Sequence, residues 1–404
     1  MLFHSLAARD LQLPLAPAML RLLLFTTGLA LGLAKPPLQV IIMAGQSNTV
    51  GHGYAEGSDL HWNSSSRMCV GEQSSGCNNG VPFSQMPPNL NGSLLTPEYS
   101  FLRTAAGKGG QNKWTQHKGV WVIFNETADD DGLPSGFPTP GPNGGYWHGE
   151  LSVGYGGFHK GLTIYNRTNR TEVGPEIGLG WALGDAYAKT GQQVLIIKTA
   201  WGGKTIDGDF RPPSSVAANP KGPPVGPYYT RMVAEVADAL SKLKTFFPSY
   251  SGSYELAGFV WHQGWNDACC SRAGTTPGVY EFDLANLIRD VRKDLKAPKM
   301  KAIVGTSGMC GFADYNKYPI GDGDGYQHCG DVCSKLAAPI ITAQLAVGNS
   351  EKYPEFKGNV KSVELRGFHF DMEKSPGDQC YHWNNNAQSY WLMGQAMAKA
   401  FLAM

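Results

Sequence analysis

Leu38-Gln-Val-Ile-Ile-Met-Ala-Gly-Gln-Ser-Asn48 opens the folded part of this 404-residue chain. Its first six residues, Leu38–Met43, form a nearly continuous apolar run. A strand buried on one face alternates apolar and polar residues, whereas one buried on both faces does not. The run is therefore read as a central strand of a parallel sheet, and Gly45-Gln46-Ser47-Asn48 is the turn that leaves its carboxyl end.

Working outward, the same signature recurs downstream of about residue 172. A helix is expected from about Pro175 to Lys189, then the apolar strand Val194–Lys198. The next helix, Tyr228 to Phe247, carries Met232, Val236, Leu240, Leu243 and Phe247 at helical spacing. Strand Leu256–Trp261 follows, then a helix with the stripe Tyr280, Leu284, Leu287, Val291 and Leu295. Met300–Val304 and Val360–Leu365 are strands, Ala337–Val347 is a helix, and Tyr390, Trp391, Gly394, Met397 and Phe401 mark the last helix. Apolar strands alternating with amphipathic helices predict an α/β fold, a five-stranded parallel sheet between two helix layers.

Composition is consistent with that reading and removes several function classes. There are 34 basic and 33 acidic residues, a net charge of +1, so no broad field attracts nucleic acid or anionic lipid. Glycine supplies 51 residues and proline 26, with no Gly-X-Y period, which makes the chain loop-rich rather than collagenous. Much of that excess falls in residues 52–170, a Gly-, Asn-, Ser- and Pro-rich stretch in which Gly119–Phe124 alone reads as a strand. It is expected to be a large insertion beside the functional face.

Residues 1–34 read as a signal peptide: an apolar run from Met19 to Ala34, Arg21 near its start, Gly32-Leu33-Ala34 as cleavage-site residues, then Lys35-Pro36-Pro37. An uncleaved signal anchor is the alternative; the run is short for a membrane span of about 20 residues. Five N-x-[ST] sequons, at Asn63, Asn91, Asn125, Asn166 and Asn169, all lie in the insertion. Eight cysteines, Cys69, Cys77, Cys269, Cys270, Cys310, Cys329, Cys333 and Cys380, fit disulfides in an exported chain. Their pairing is open, although Cys69–Cys77 and Cys329–Cys333 are near enough to close small loops. No C-x-x-C pair or histidine cluster has zinc-ligand spacing, so no metal is expected.

In an open parallel sheet, ligands bind beyond the carboxyl ends of the strands. The first strand is followed by Gln46-Ser47-Asn48, the second by Trp201-Gly202-Gly203 and the third by Gly264-Trp265-Asn266-Asp267; the fifth leads on to Asp378 and His382. A serine, a glycine pair, an asparagine and a histidine on one face make up the inventory for acyl transfer. Taken singly, each has a plain structural reading: helix cap, tight turn, surface residue. The joint placement makes chemistry the better reading.

These motifs resemble the SGNH hydrolases, and more narrowly the sialate O-acetylesterase and acetylxylan-esterase-like branch of carbohydrate esterases. The resemblance covers about residues 38–51 and 172–404. It implies Ser47 as nucleophile, with its own N–H, Gly202 or Gly203 N–H and the Asn266 amide as oxyanion donors. It also implies His382 as general base, no cofactor, and an acetylated carbohydrate as substrate. Gln46, Asp267 and Glu176 are read as supports, Asp267 because it follows Asn266 in its loop and Glu176 because it stands at a helix start, where the dipole favours a carboxylate. Thr49 occupies the second glycine position of Gly-x-Ser-x-Gly, so the α/β-hydrolase elbow does not fit. One departure stands out: three residues before the histidine, where the family carries its acid, this chain has Gln379. Asp378 is the candidate acid instead, with Glu373 or a backbone carbonyl as alternatives. A glycan-binding protein on a hydrolase scaffold is the competing expectation, and Trp201, Trp261 and Trp265 are candidates for sugar stacking or for core.

Overall fold

Strand β1, Leu38–Gly45, is buried along its whole length and lies at the centre of a seven-stranded sheet. Its alternate side chains feed two cores. Val40, Ile42 and Ala44 point into one layer, Ile41 and Met43 into the other. Both sets are apolar, as a doubly covered strand requires.

In this computed structural model the described residues are 35–57, 61–63, 68–70, 90–104, 113–125, 146–157, 172–269, 275–312, 332–377 and 379–404. All of them lie in one compact unit, Lys35–Met404. The other sheet strands are β2 (His117–Asn125), β3 (Tyr146–Leu151), β4 (Val194–Ala200), β5 (Tyr254–His262), β6 (Lys301–Gly305) and β7 (Val360–Val363). Their order is β7-β6-β5-β1-β4-β2-β3, and every pair is parallel except β2 with β3.

The expected five parallel strands are all present, and the count is corrected to seven. Both additional strands come from the stretch read as insertion. Val120–Phe124 pairs in parallel register with Val194–Lys198, and β3 folds back on it as an antiparallel edge. A helical turn, α1 (Ser47–Val50), follows β1 where only a turn was expected, and the other principal helices fall near their expected positions: α2 (Glu176–Ala188), α3 (Pro227–Ser241), α4 (Pro277–Asp294), α5 (Ala337–Val347) and α6 (Ala387–Leu402). The segment expected as one helix to Phe247 breaks at Lys242 and resumes for one turn at Leu243–Phe246.

Helices α3, α4 and α5 cover one face of the sheet, while α2 and α6 cover the other. The second pair cross at a glycine contact. A Cβ on Gly178 would stand 2.0 Å from the Trp391 carbonyl oxygen, and one on Gly394 2.2 Å from that of Pro175. Some of the glycine excess is thus spent on helix packing rather than loops.

The disulfide with both halves among the described residues joins Cys310 to Cys333, so Cys333 does not close the short loop with Cys329 that its spacing suggested. Cys269 and Cys380 are also disulfide-bonded. Among the described residues, no helix is long and apolar enough to cross a membrane.

One buried ion pair ties the layers to the turn after β1. Lys198 on β4 is fully enclosed, and its ammonium donates to Glu176 Oε2 at 2.9 Å, to the Val50 carbonyl at 2.6 Å and to the Tyr155 carbonyl at 2.5 Å. Three donors meet three acceptors, and Phe124 lies below with its ring centre 4.6 Å from the nitrogen. The second oxygen of Glu176 accepts the Gly174 N–H at 2.8 Å. Removing one partner of such a pair strands the other charge, at a cost of about 3–5 kcal/mol. Lys198→Met should therefore lower the urea-unfolding free energy by about that amount, and Lys198→Met combined with Glu176→Leu should recover most of the loss. A single variant as stable as the parent would show that the pair carries no such role.

Candidate active site

Ser47 is the first residue of α1, directly beyond the carboxyl end of β1, and is 7% exposed. The turn is tight because Gly45 has φ of +154° and sits against the backbone of β5. A Cβ there would meet the His262 carbonyl oxygen at 2.0 Å. Thr49 Oγ1 donates to that same oxygen at 2.6 Å. As the first helical residue, Ser47 has a backbone N–H with no acceptor inside the helix.

Gln46 connects this turn to the loop after β5 through both ends of its amide. Its Oε1 accepts the N–H groups of Gly264 and Asn266, at 3.0 and 3.3 Å, and its Nε2 donates to Asn266 Oδ1 at 2.9 Å. An asparagine amide has its oxygen on one side and its donors on the other. Occupying Oδ1 therefore fixes which way Asn266 Nδ2 faces.

Asp267 secures the neighbouring backbone. Its carboxylate accepts the Ile206 N–H at 3.0 and 3.1 Å, the Thr275 hydroxyl at 3.2 Å and the Gln263 amide, while Gln263 also donates to the Lys204 carbonyl at 2.9 Å. The loops after β4 and β5 are held together this way, and Trp201 N–H donates to the Gly45 carbonyl at 3.2 Å. Burial pushes the Asp267 carboxyl up to about 7, against the pull of its hydrogen bonds. Gly202 is buried; Gly203 is exposed, with φ of +69°.

His382 lies on the irregular segment Cys380–Asn385 that precedes α6. Asn48 brings that segment to the serine turn. Its Nδ2 donates to the Tyr381 carbonyl at 2.8 Å, and its Oδ1 accepts the Tyr390 hydroxyl at 2.7 Å. The residue after Ser47 is thereby bonded to the residue before His382.

The imidazole stacks on His52, with ring centres 3.9 Å apart and planes 16° from parallel. Its Nδ1 is 3.1 Å from Gln379 Oε1. Asp378 lies outside the described residues, and Glu373 is exposed, its backbone carbonyl taking a bond from the Asn91 amide.

Other expected residues fall into structural places. Glu176 reaches the serine turn only through Lys198, which it pairs, and that pairing is its role in the fold. Trp201, Trp261 and Trp265 are 2%, 0% and 5% exposed and belong to the cores, so they offer no sugar-stacking surface. Among the sequons, Asn91 is exposed, Asn125 is half-buried with its amide on Glu235 at 2.9 Å, and Asn63 lies in a short hairpin. Asn166 and Asn169 lie outside the described residues. Sequence reasoning missed His52, which sits within the stretch set aside as insertion, and gave Asn48 no role although it quoted it.

By architecture the protein is a three-layer α/β/α fold with polar residues gathered beyond the carboxyl ends of parallel strands. Residues 159–317 match the family model described as carbohydrate esterase, sialic acid-specific acetylesterase. The resemblance drawn from the residue motifs therefore holds. The matched segment contains Gly202, Gly203, Asn266 and Asp267, and lies between Ser47 and His382. Three solved structures are similar over about nine-tenths of this chain. One is a protein from Arabidopsis thaliana, 15% identical with a TM-score of 0.41, covering 91% of this chain and 98% of that one. Another is XAC1771 from Xanthomonas citri, described as a novel carbohydrate acetylesterase, at 13% and 0.42, covering 90% and 57%. The third is NanS, at 14% and 0.44, covering 91% and 98%. No curated protein sequence matches the chain.

Burial holds His382 well below the ordinary imidazole range, and His52 adds to the effect. His52 itself is lowered to about 3, by burial first and by Lys198 second. A depressed imidazole pKa means that the neutral form persists into acid. Neither ring should titrate by NMR between pH 8 and pH 5; a His382 transition near 6.5 would contradict this environment.

Proposed function

We propose that this protein is a serine esterase that removes O-acetyl groups from carbohydrate, either sialic acid or a polysaccharide, through an acyl-enzyme on Ser47. The observation that carries the reading is the Asn48 clamp, which joins the Ser47 turn to the His382 segment across a separation of more than 300 residues. The family match supplies the substrate class.

In this reading His382 Nε2 takes the Ser47 proton as Oγ attacks the acetyl carbonyl. The developing oxyanion meets the Ser47 N–H, an N–H of Gly202 or Gly203, and Asn266 Nδ2, which Gln46 has pre-oriented. Collapse expels the sugar hydroxyl, protonated by His382, and water then repeats the sequence on the acetyl-enzyme. Asp267 keeps the donor loops in register while chemistry proceeds. None of these steps calls on a cofactor.

Export is part of the proposal: residues 1–34 serve as a signal peptide, the sequons accept glycans, and the mature enzyme, 35–404, works outside the cell. A second reading, a glycan-binding protein with little turnover, is favoured by one observation, an amide rather than a carboxylate on His382. Labelling by a serine-directed fluorophosphonate separates the two, since a binding protein should not react.

Ser47→Ala should abolish hydrolysis of p-nitrophenyl acetate while leaving the thermal midpoint unchanged. Undiminished hydrolysis would sink the esterase reading. Asn266→Ala should cost about 10²–10³ in kcat with little change in KM, the effect of deleting one oxyanion donor.

A further inference from the structure

Gln379 stands where an acid is expected, and the loop around it is built to hold its amide in one orientation. Its Oε1 receives Asn385 Nδ2 at 3.2 Å as well as facing His382 Nδ1 at 3.1 Å. An atom that accepts from an asparagine amide is the oxygen, not the NH₂. The partner of His382 is thus an acceptor, Nδ1 must carry the proton, and the lone pair of the neutral ring is left on Nε2.

Asn385 is itself anchored, donating to the His52 carbonyl at 3.1 Å. The backbone supports this at a cost. Trp383, Asn384 and Asn385 have φ of +56°, +52° and +56°, three consecutive left-handed residues immediately after His382. Each costs about 1 kcal/mol or more when the residue is not glycine. Such a run persists because its surroundings hold it. Asn384 N–H donates to the Gln379 carbonyl at 2.9 Å, and the Asn384 carbonyl accepts Gly377 N–H at 3.1 Å. Asn384 Nδ2 bonds the Phe370 carbonyl at 3.0 Å, and Asn386 N–H the Trp383 carbonyl at 3.0 Å. The fold-back brings Asn385 over Gln379.

We propose that Gln379 is the positioning residue of the base: its side-chain carbonyl, locked by Asn385, fixes the His382 tautomer, and the acyl transfer runs on serine, histidine and an amide. This rests on the esterase reading above. A carboxylate in that place does two things, orienting the ring and stabilising the imidazolium that forms. An amide oxygen does the first and contributes little to the second. The titratable side chains packed on the imidazole are His52, stacked, and Tyr381, edge-on, with Tyr390 on its backbone carbonyl; Lys198 acts on His52. No carboxylate among the described residues bonds the ring. The consequence is an enzyme whose base stays free of protons in mildly acidic surroundings.

The test compares Gln379→Leu, Gln379→Glu and wild type in pH profiles of kcat/KM on p-nitrophenyl acetate, with ¹⁵N NMR of the histidine ring. Gln379→Leu should lower kcat about 10- to 100-fold with KM within about twofold, and should lose the Nδ1–H tautomer signal. Gln379→Glu should keep activity but move the acid limb up by about one pH unit or more, because an adjacent negative charge favours the imidazolium. Should Gln379→Leu fail to fold, the Glu variant decides the matter alone. A Leu variant with the parent's kcat and pH profile, a Glu variant with an unmoved acid limb, or an Asp378→Asn variant that loses as much as Gln379→Leu would overturn the assignment. The NMR signature separates the two readings: a tautomer signal unchanged in Gln379→Leu overturns the positioning role whatever the assays give. Hydrolysis that survives Ser47→Ala overturns the esterase reading instead.

Discussion

The Lys198 ammonium is the constraint on which the rest of the structure depends. Enclosed by β4, the turn after β1, the start of α2 and the Tyr155 segment, it leaves none of its three donors unspent. Burial alone would drive such a lysine toward neutrality; the Glu176 carboxylate opposes that. The charge pair is weak evidence for stability in itself, since a well-packed apolar replacement often does as well. What the pair supplies is direction. An apolar contact could slide, whereas a cation with three acceptors specifies where the Val50 carbonyl must stand, and α1 extends back from there to Ser47.

Beyond that anchor the site is assembled by amides. Gln46, Asn48, Gln263, Gln344 and Asn385 each bond a segment distant in sequence, and Gln379 bonds His382 and Asn385 within its own. Gln344 alone reaches the Gln263 carbonyl, the Tyr280 hydroxyl and Ser307. Amides carry a donor and an acceptor on one planar group, so each fixes relative orientation as well as distance. They do so without charge, which suits a region where an unpaired ion would be costly.

Much of this was legible before the fold was known. Leu38–Met43 announced a doubly covered strand because both of its alternating faces are apolar, and the stripe from Tyr280 to Val291 announced α4 because one helix face carries it. The edge of the sheet was not legible. Tyr146–Leu151 reads Tyr-Trp-His-Gly-Glu-Leu, a half-exposed strand whose period is blurred by Gly149, and it pairs with a strand that ends at Asn125, far back in the sequence. Gly119–Phe124 could be read as a strand, but its place beside β4 rests on a contact some 70 residues away in sequence. The Cys310–Cys333 link was hidden for a related reason: sequence proximity favoured Cys329, while the chain path decides. In the candidate site the strand-end residues were visible one by one. The clamps between them were not, because Asn48 meeting Tyr381 is a property of the closed fold alone.

A chain with 51 glycines places none at Trp383, Asn384 or Asn385, where the backbone conformation favours glycine most. A glycine there would relieve about 1 kcal/mol of strain, yet it would also enlarge the unfolded ensemble by about 0.4–1 kcal/mol of entropy. The two effects nearly cancel, so the asparagines cost the folded protein little net stability. The substitution would still forfeit the side-chain bonds to Phe370, His52 and Gln379. The easier backbone thus brings no thermodynamic reward to set against the lost bonds, which favours asparagine at the second and third of these positions.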